Sequence, residues 1–187
     1  CAAAFWGDTN SAAFQLVKQA EIDYLVFDYL AEVTLSIMAG ARLKDPEAGY
    51  AHDFVTQVMA PLAKDIRRKG IKVISNAGGV NPHACKDALL EVIARHGVKD
   101  LRIAVVEGDD ILERLDELTA AGELFVNMDT GQPFAEVRDR ITSANVYLGA
   151  FPIAEALDQG ARIVITGNVK VDGLRIGRPE RDAAFEE

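Results

Sequence analysis

The chain has 187 residues, 49% of them hydrophobic and 26% charged, with a formal net charge of −9. This composition specifies a folded core of ordinary size rather than a disordered chain. Its acidic balance excludes the basic footprint that general nucleic-acid binding needs, and its apolar runs are too short for a membrane span. The two cysteines, Cys1 and Cys85, belong to no CxxC pair, so a disulfide framework and a structural zinc site have no support. A reduced, cytoplasmic setting fits best, with neither nucleic acid nor membrane as partner.

In chain order, Cys1 and three alanines come first. Alanines make a poor central strand, yet Trp6-Gly-Asp8 reads as the turn that ends one. The expectation is a truncated first strand, with residues 1–5 extended beside the sheet. Asp8, Thr9, Asn10 and Ser11 are all N-cap types and predict a helix to about Ala20, with Ala13, Phe14, Leu16 and Val17 inward. A short strand, 24–27, precedes a helical stretch over 30–43 that carries Leu30, Val33, Ile37 and Met38. Residues 44–50 form a loop. A second helix runs from Asp53 to Lys69, with Phe54, Val58, Leu62 and Ile66 at strict four-residue steps and a bend at Pro61.

Ile71 to Ser75 is a buried strand that runs into Asn76-Ala-Gly-Gly-Val-Asn81. Glycine accepts left-handed or closely packed backbone, while Asn81 and Pro82 suit a helix cap and first turn. The helix runs from Pro82 to His96 and stops at Gly97. A strand over 101–106 leads to Glu107-Gly-Asp-Asp110, where Asp109 or Asp110 caps a helix to about Ala121. Phe125 to Met128 reads as an edge strand with a turn at 129–133. Pro152 starts a helix that ends at Gly160. Arg162 to Thr166 is the last strand, and the charged tail from Arg178 reads as frayed. Strands alternating with helices predict a single α/β domain with a mostly parallel, Rossmann-like open sheet and helices on both faces.

In such a sheet every strand ends on one edge, where ligands bind. The candidate acids are therefore Asp28, Glu32, Glu107 and Asp109, which could move protons. Carboxylates can also hold Mg²⁺, but capping explains Asp109 and Asp110 as well, and a metal site is not favoured. Asp8, Asn76, Gly78, Gly79, Asn81, Tyr147, Thr166 and Asn168 complete the edge as candidate ligand-binding residues. Asn76 and the Gly78–Gly79 amides would hold an anionic or carbonyl oxygen. For each residue taken alone, turn formation or helix capping is the competing explanation. The turn is neither GxGxxG nor GxxxxGK[ST], and GxSxG and HExxH are absent, so the sequence names no cofactor. His83, in the first turn of its helix, is a proton-transfer candidate or a solvated surface residue. Cys85 reads as a small buried residue.

Several blocks closely resemble the N-terminal domain of the acyclic terpene utilisation protein (AtuA) family. They are Phe5-Trp-Gly-Asp8, Asp23 to Glu32, Ser75 to Pro82, Val105 to Asp109, Ala144 to Ala150 and Ile163 to Gly167, in that order and over nearly the whole chain. The resemblance implies the N-terminal part of a longer architecture and an association with bacterial catabolism of acyclic terpenes, whose intermediates are acyl-CoA thioesters. It supplies no catalytic residues to carry over. Two functions follow as expectations: an enzyme or ligand-binding domain handling a small acid or acyl-CoA, and a non-catalytic interaction or scaffold domain. Either leaves room for a homo-oligomer.

Overall fold

The computed structural model describes residues 2–3 and 6–169. The expectations for Cys1, Ala4, Phe5 and the tail from Arg178 lie outside these residues. Four strands form one parallel sheet: β1 (Tyr24–Phe27), β2 (Lys72–Ser75), β3 (Ile103–Val106) and β4 (Ile163–Thr166), in the order β1-β2-β4-β3. Each lies inside a predicted strand. The register pairs Phe27 with Ser75 and Ser75 with Ile165, and Val106 with Thr166. All four carboxyl ends therefore sit on one edge. On the outer side of β1, Ala2 N–H donates to Val26 O (2.7 Å) and Asp28 N–H to Ala3 O (2.9 Å), so this short stretch runs parallel to β1.

Alternation along the strands divides the core in two. Leu25, Phe27, Val73, Ile163 and Ile165 face a large cluster closed by α1 (Ser11–Gln19), α2 (Glu32–Arg42), α3 (Ala60–Lys69) and α4 (Pro82–Arg95). Ile74, Val106 and Val164 face a smaller cluster with Ile153 and Leu157 of α6 (Phe151–Asp158). Helices thus cover both faces, as expected.

Two helical stretches depart from the simple periodic reading. The segment Phe54–Met59 is a π-helix, in which Ala60 N–H donates to Val55 O, five residues back. Pro61 follows; it has no N–H to donate to Gln57 O, and in a regular helix its ring would press on that carbonyl. A turn closed five residues back holds more residues than one closed four back. This explains why Phe54, Val58, Leu62 and Ile66, spaced by fours, are all fully buried. In α2 the apolar residues divide: Met38 is buried together with Thr34, Leu35 and Ala39, while Val33 and Ile37 are 65% and 54% exposed. Thr34 caps this helix. Its hydroxyl accepts from Ala31 N–H (2.7 Å) and donates to Ala31 O (2.8 Å), which fixes the helix start.

Residues 107–150 are less regular. A 3-10 turn (Leu112–Arg114) leads into the short α5 (Leu115–Ala120). The expected 125–128 strand reduces to one antiparallel bridge, Val126 to Pro133; Leu124 and Met128 are 86% and 97% exposed, so no core face holds it in the sheet.

Candidate functional site

The carboxyl edge carries two buried polar assemblies and an exposed rim. The first assembly joins β1 to β2. Asn76, only 1% exposed, accepts from Tyr29 N–H through Oδ1 (2.7 Å). Its Nδ2 donates to Asp28 Oδ1 (2.6 Å) and to Val169 O (3.1 Å). Both amide hydrogens and the carbonyl are thus engaged by protein, and Asn76 ties the ends of three strands together. The expected role, donation to a bound oxygen, would require it to break one of these bonds.

The second assembly joins β3 to β4. Asp109 is 4% exposed, and its Oδ2 accepts from Asn145 Nδ2 and Asn168 N–H, both at 2.8 Å. Its carboxylate packs on the Cα of Gly167, where a Cβ would collide with it. Asp109 does not cap the helix that follows. Asp110 makes the turn instead, its Oδ1 accepting from Leu112 N–H (3.0 Å). Asn168 also accepts from Leu148 N–H through its own carbonyl (3.0 Å). Thr166 is fully buried and its hydroxyl donates to Gly167 O (3.1 Å).

The Gly78–Gly79 turn is packed against protein. A Cβ on Gly78 would stand 2.5 Å from Thr166 O, and one on Gly79 would meet Met38 Sδ and Gly49 O. Gly79 also has φ +54°, in the left-handed region. Gly79 N–H donates to Asn76 O (3.2 Å) and Val80 N–H to Gly49 O (2.9 Å). The glycines therefore serve close backbone packing. Asn81 caps α4 through Oδ1 to Ala84 N–H (3.4 Å), while its Nδ2 holds Pro46 O and Ala48 O at 2.8 and 2.9 Å.

The rim holds the groups open to solvent. Glu32 and Tyr147 are exposed, and the phenol donates to Glu32 Oε1 across 3.4 Å. The neighbouring Glu32 charge raises the Tyr147 pKa above its ordinary value; slight burial, that hydrogen bond and Asp28 add to the effect. Glu107 is exposed and pairs with His83, Oε2 to Nε2 at 2.6 Å. Asp8 is exposed in the turn before α1. Among the described residues, no group of three or more His, Cys, Asp or Glu could hold a metal ion. Cys85 is fully buried, and burial pushes its thiol pKa up, so it is an inert packing residue.

Two hollows open beside this rim. The larger, about 600 Å³, has an apolar wall of Ala39, Leu43, Pro46, Val80 and Leu112, with Arg42, Arg114, Asp110, Glu113, Thr142 and Ser143 supplying polarity. The smaller, about 320 Å³, is bounded by Arg42, Val80, Asn81, His83, Glu107, Asp109 and Asp110. Arg42, Val80 and Asp110 line both, so the hollows adjoin. Arg42 donates to Val80 O and lies 3.9 Å from Asp110 Oδ2. Of the predicted residues, Asn81, Gly79, Glu107 and Asp109 border the smaller hollow; Asp8, Asp28, Glu32 and Tyr147 border neither. Sequence reasoning missed Arg42 and Arg114. Arg42 closes α2, where a basic residue already has a reason to be, so nothing in its local pattern marks it.

Four parallel strands with helices on both faces define an α/β protein, and two adjoining hollows open beside the carboxyl edge of its sheet. A family model described as "Acyclic terpene utilisation family protein AtuA" matches residues 1–177, and the chain belongs to that family. Searches of curated proteins and of solved structures found no match. No helix among the described residues is long and apolar enough to cross a membrane.

Proposed function

We propose that the chain is the ligand-binding part of an enzyme that handles a small acid or its acyl-CoA thioester, bound across the two adjoining hollows. The observation that carries this reading is the position of Arg42. It stands where an apolar-walled hollow of about 600 Å³ meets a polar one of about 320 Å³. Both volumes fall in the range of small-molecule sites, which pair an apolar lining with a few polar groups that orient the ligand. The apolar wall suits a branched hydrocarbon chain. Arg42 suits the carboxylate or thioester oxygen at its end, since guanidinium is the preferred partner of planar oxyanions. The family's association with acyclic terpene utilisation fits a branched hydrocarbon acid.

The rival reading, a non-catalytic interaction domain, draws support from Asn76 and Asp109, whose hydrogen bonds are spent inside the protein. Calorimetric titration of the full-length protein with geranoyl-CoA, its free acid, nucleotides and divalent ions separates the two. The expected result is binding of the acid or thioester, weakened by about 10- to 100-fold in Arg42→Gln, the loss of a charge-assisted hydrogen bond. Absence of binding by every ligand would leave the interaction domain as the better account.

A further inference from the structure

We infer that His83 and Glu107 form the proton-transfer pair of this site, acting on a carbon-bound hydrogen next to the carbonyl of a thioester held at Arg42. The inference rests on the ligand-binding reading above. His83 comes from the first turn of α4, after β2, and Glu107 from the residue that follows β3. They are 24 positions apart in sequence, and β4 separates their strands in the sheet, yet their side chains meet at 2.6 Å. Both line the smaller hollow, and Arg42 lines it with them.

The chemistry follows from the donor set. Among the described residues, the walls of this hollow carry no Ser, Thr, Cys or Lys, the usual side-chain nucleophiles. What they carry is an imidazole, carboxylates, one guanidinium and the Asn81 carboxamide, which is engaged with backbone groups. A carboxylate at Nε2 favours the tautomer with hydrogen on that nitrogen, which leaves the Nδ1 lone pair as the base. The step is balanced without any further reactant. Nδ1 takes the proton from the carbon α to the carbonyl. The C–H electron pair becomes the C=C of the enolate, and the carbonyl π pair moves onto oxygen, where Arg42 offsets the charge. Return of a proton from His83 regenerates the thioester. In this scheme Glu107 is a positioning residue that holds the tautomer and stabilises the imidazolium. An exposed pair elsewhere on the surface would contribute little to stability and have no such neighbours; here the pair shares a concave site with a cation placed to hold the ligand.

The test is deuterium incorporation. The full-length protein is incubated in D₂O with a saturated branched acyl-CoA, dihydrocitronelloyl-CoA, and the mass of the recovered thioester is followed. Binding of the same thioester is measured by calorimetry in parallel. Wild type is expected to incorporate deuterium at the α-carbon. His83→Gln should reduce the rate by about 100-fold or more, the usual contribution of a positioned base, with Kd little changed. Glu107→Gln should slow exchange at saturating thioester without a matching change in Kd. It should also shift the His83 tautomer, read from its ring ¹⁵N resonances, which a plain surface ion pair would not link to the exchange rate. Binding without exchange in wild type, or exchange undiminished in His83→Gln, would overturn the proton-transfer role and leave the binding site standing. No binding at all would overturn both.

Discussion

Replacing Asn76 tests whether this residue is frame or ligand contact. Asn76→Ala removes the acceptor of Tyr29 N–H, a buried backbone donor, and both donors that reach Asp28 and Val169. A buried N–H left without a partner costs about 1–3 kcal/mol, and a hydrogen bond to a charged group contributes about 1.5–3 kcal/mol. Asp28 is half-buried, so water recovers part of the second loss. The losses are not additive, and about 3 kcal/mol is the expected total. For a chain of this size that is a fall of about 6–12 °C in Tm. Asn76→Asp sharpens the test. It keeps the acceptor for Tyr29 but sets a second carboxylate against Asp28, in place of the 2.6 Å amide contact. Two carboxylates so close share a proton, which raises a pKa of the pair in the folded state. Stability of this variant is therefore greatest at low pH and is lost as pH rises through that raised value. Urea unfolding followed by circular dichroism at pH 5 and pH 8 reads both effects. Asn76→Ala within about 0.5 kcal/mol of wild type, together with Asn76→Asp insensitive to pH relative to wild type, would refute the frame and return Asn76 to the ligand.

Four further outcomes are expected. Tyr29→Phe should raise stability by about 1 kcal/mol in urea unfolding, because its hydroxyl is buried with no hydrogen-bond partner among the described residues and carries a desolvation cost; a loss instead would show that the hydroxyl has a partner in solution. Burial also raises the Tyr29 and Cys85 pKa values in the folded state. Stability should therefore be complete below their unfolded values and decline above about pH 9 for Cys85 and above about pH 10 for Tyr29, by about 1.4 kcal/mol per pH unit for each group, a slope that Tyr29→Phe and Cys85→Ala should each reduce. Gly78→Ala should cost about 3 kcal/mol, since its Cβ would stand 2.5 Å from a backbone oxygen that cannot rotate away; a near-neutral result in the same assay would show that the turn can shift. Glu32→Gln should lower the Tyr147 pKa toward the ordinary phenol value, measured by ultraviolet titration against Tyr147→Phe, because the carboxylate charge is the main cause of the rise.

The strands were legible because β-branched runs between glycines and caps leave little choice, and each observed strand sits inside its expected range. The four-residue stripe of Phe54 to Ile66 was legible as one buried face, although a regular helix would have turned it out of register. The π turn before Pro61 makes the pattern consistent, and only the proline hinted at it. Which apolar residues of α2 are buried was not legible, because Val33 and Ile37 are as hydrophobic as the buried Met38 and only the packing of the folded chain separates them. Polar strand ends were legible as a group. Their division into buried and exposed members was not, because a caged Asp109 and an open Glu107 look alike in sequence and differ only in what the chain brings to them.

That division bears on where chemistry can occur at this edge. The residues nearest the strand ends, Asn76, Asp109 and Thr166, are almost fully enclosed, and their hydrogen bonds are made within the protein. Breaking such a bond to receive a ligand leaves a buried group unpaired, a cost that the new contact must exceed. Groups one step farther out, His83, Glu107 and Arg42, are exposed, so contacts they give up to a ligand leave no buried group unpaired and cost less. A rigid inner layer then has its own use: it fixes the ends of β1, β2, β3 and β4 relative to one another, so that side chains from three separate connections keep their spacing around one hollow. On the proposed ligand-binding reading, the inner asparagine and aspartate would act on the site through position, and substitutions there should disturb folding before they disturb binding.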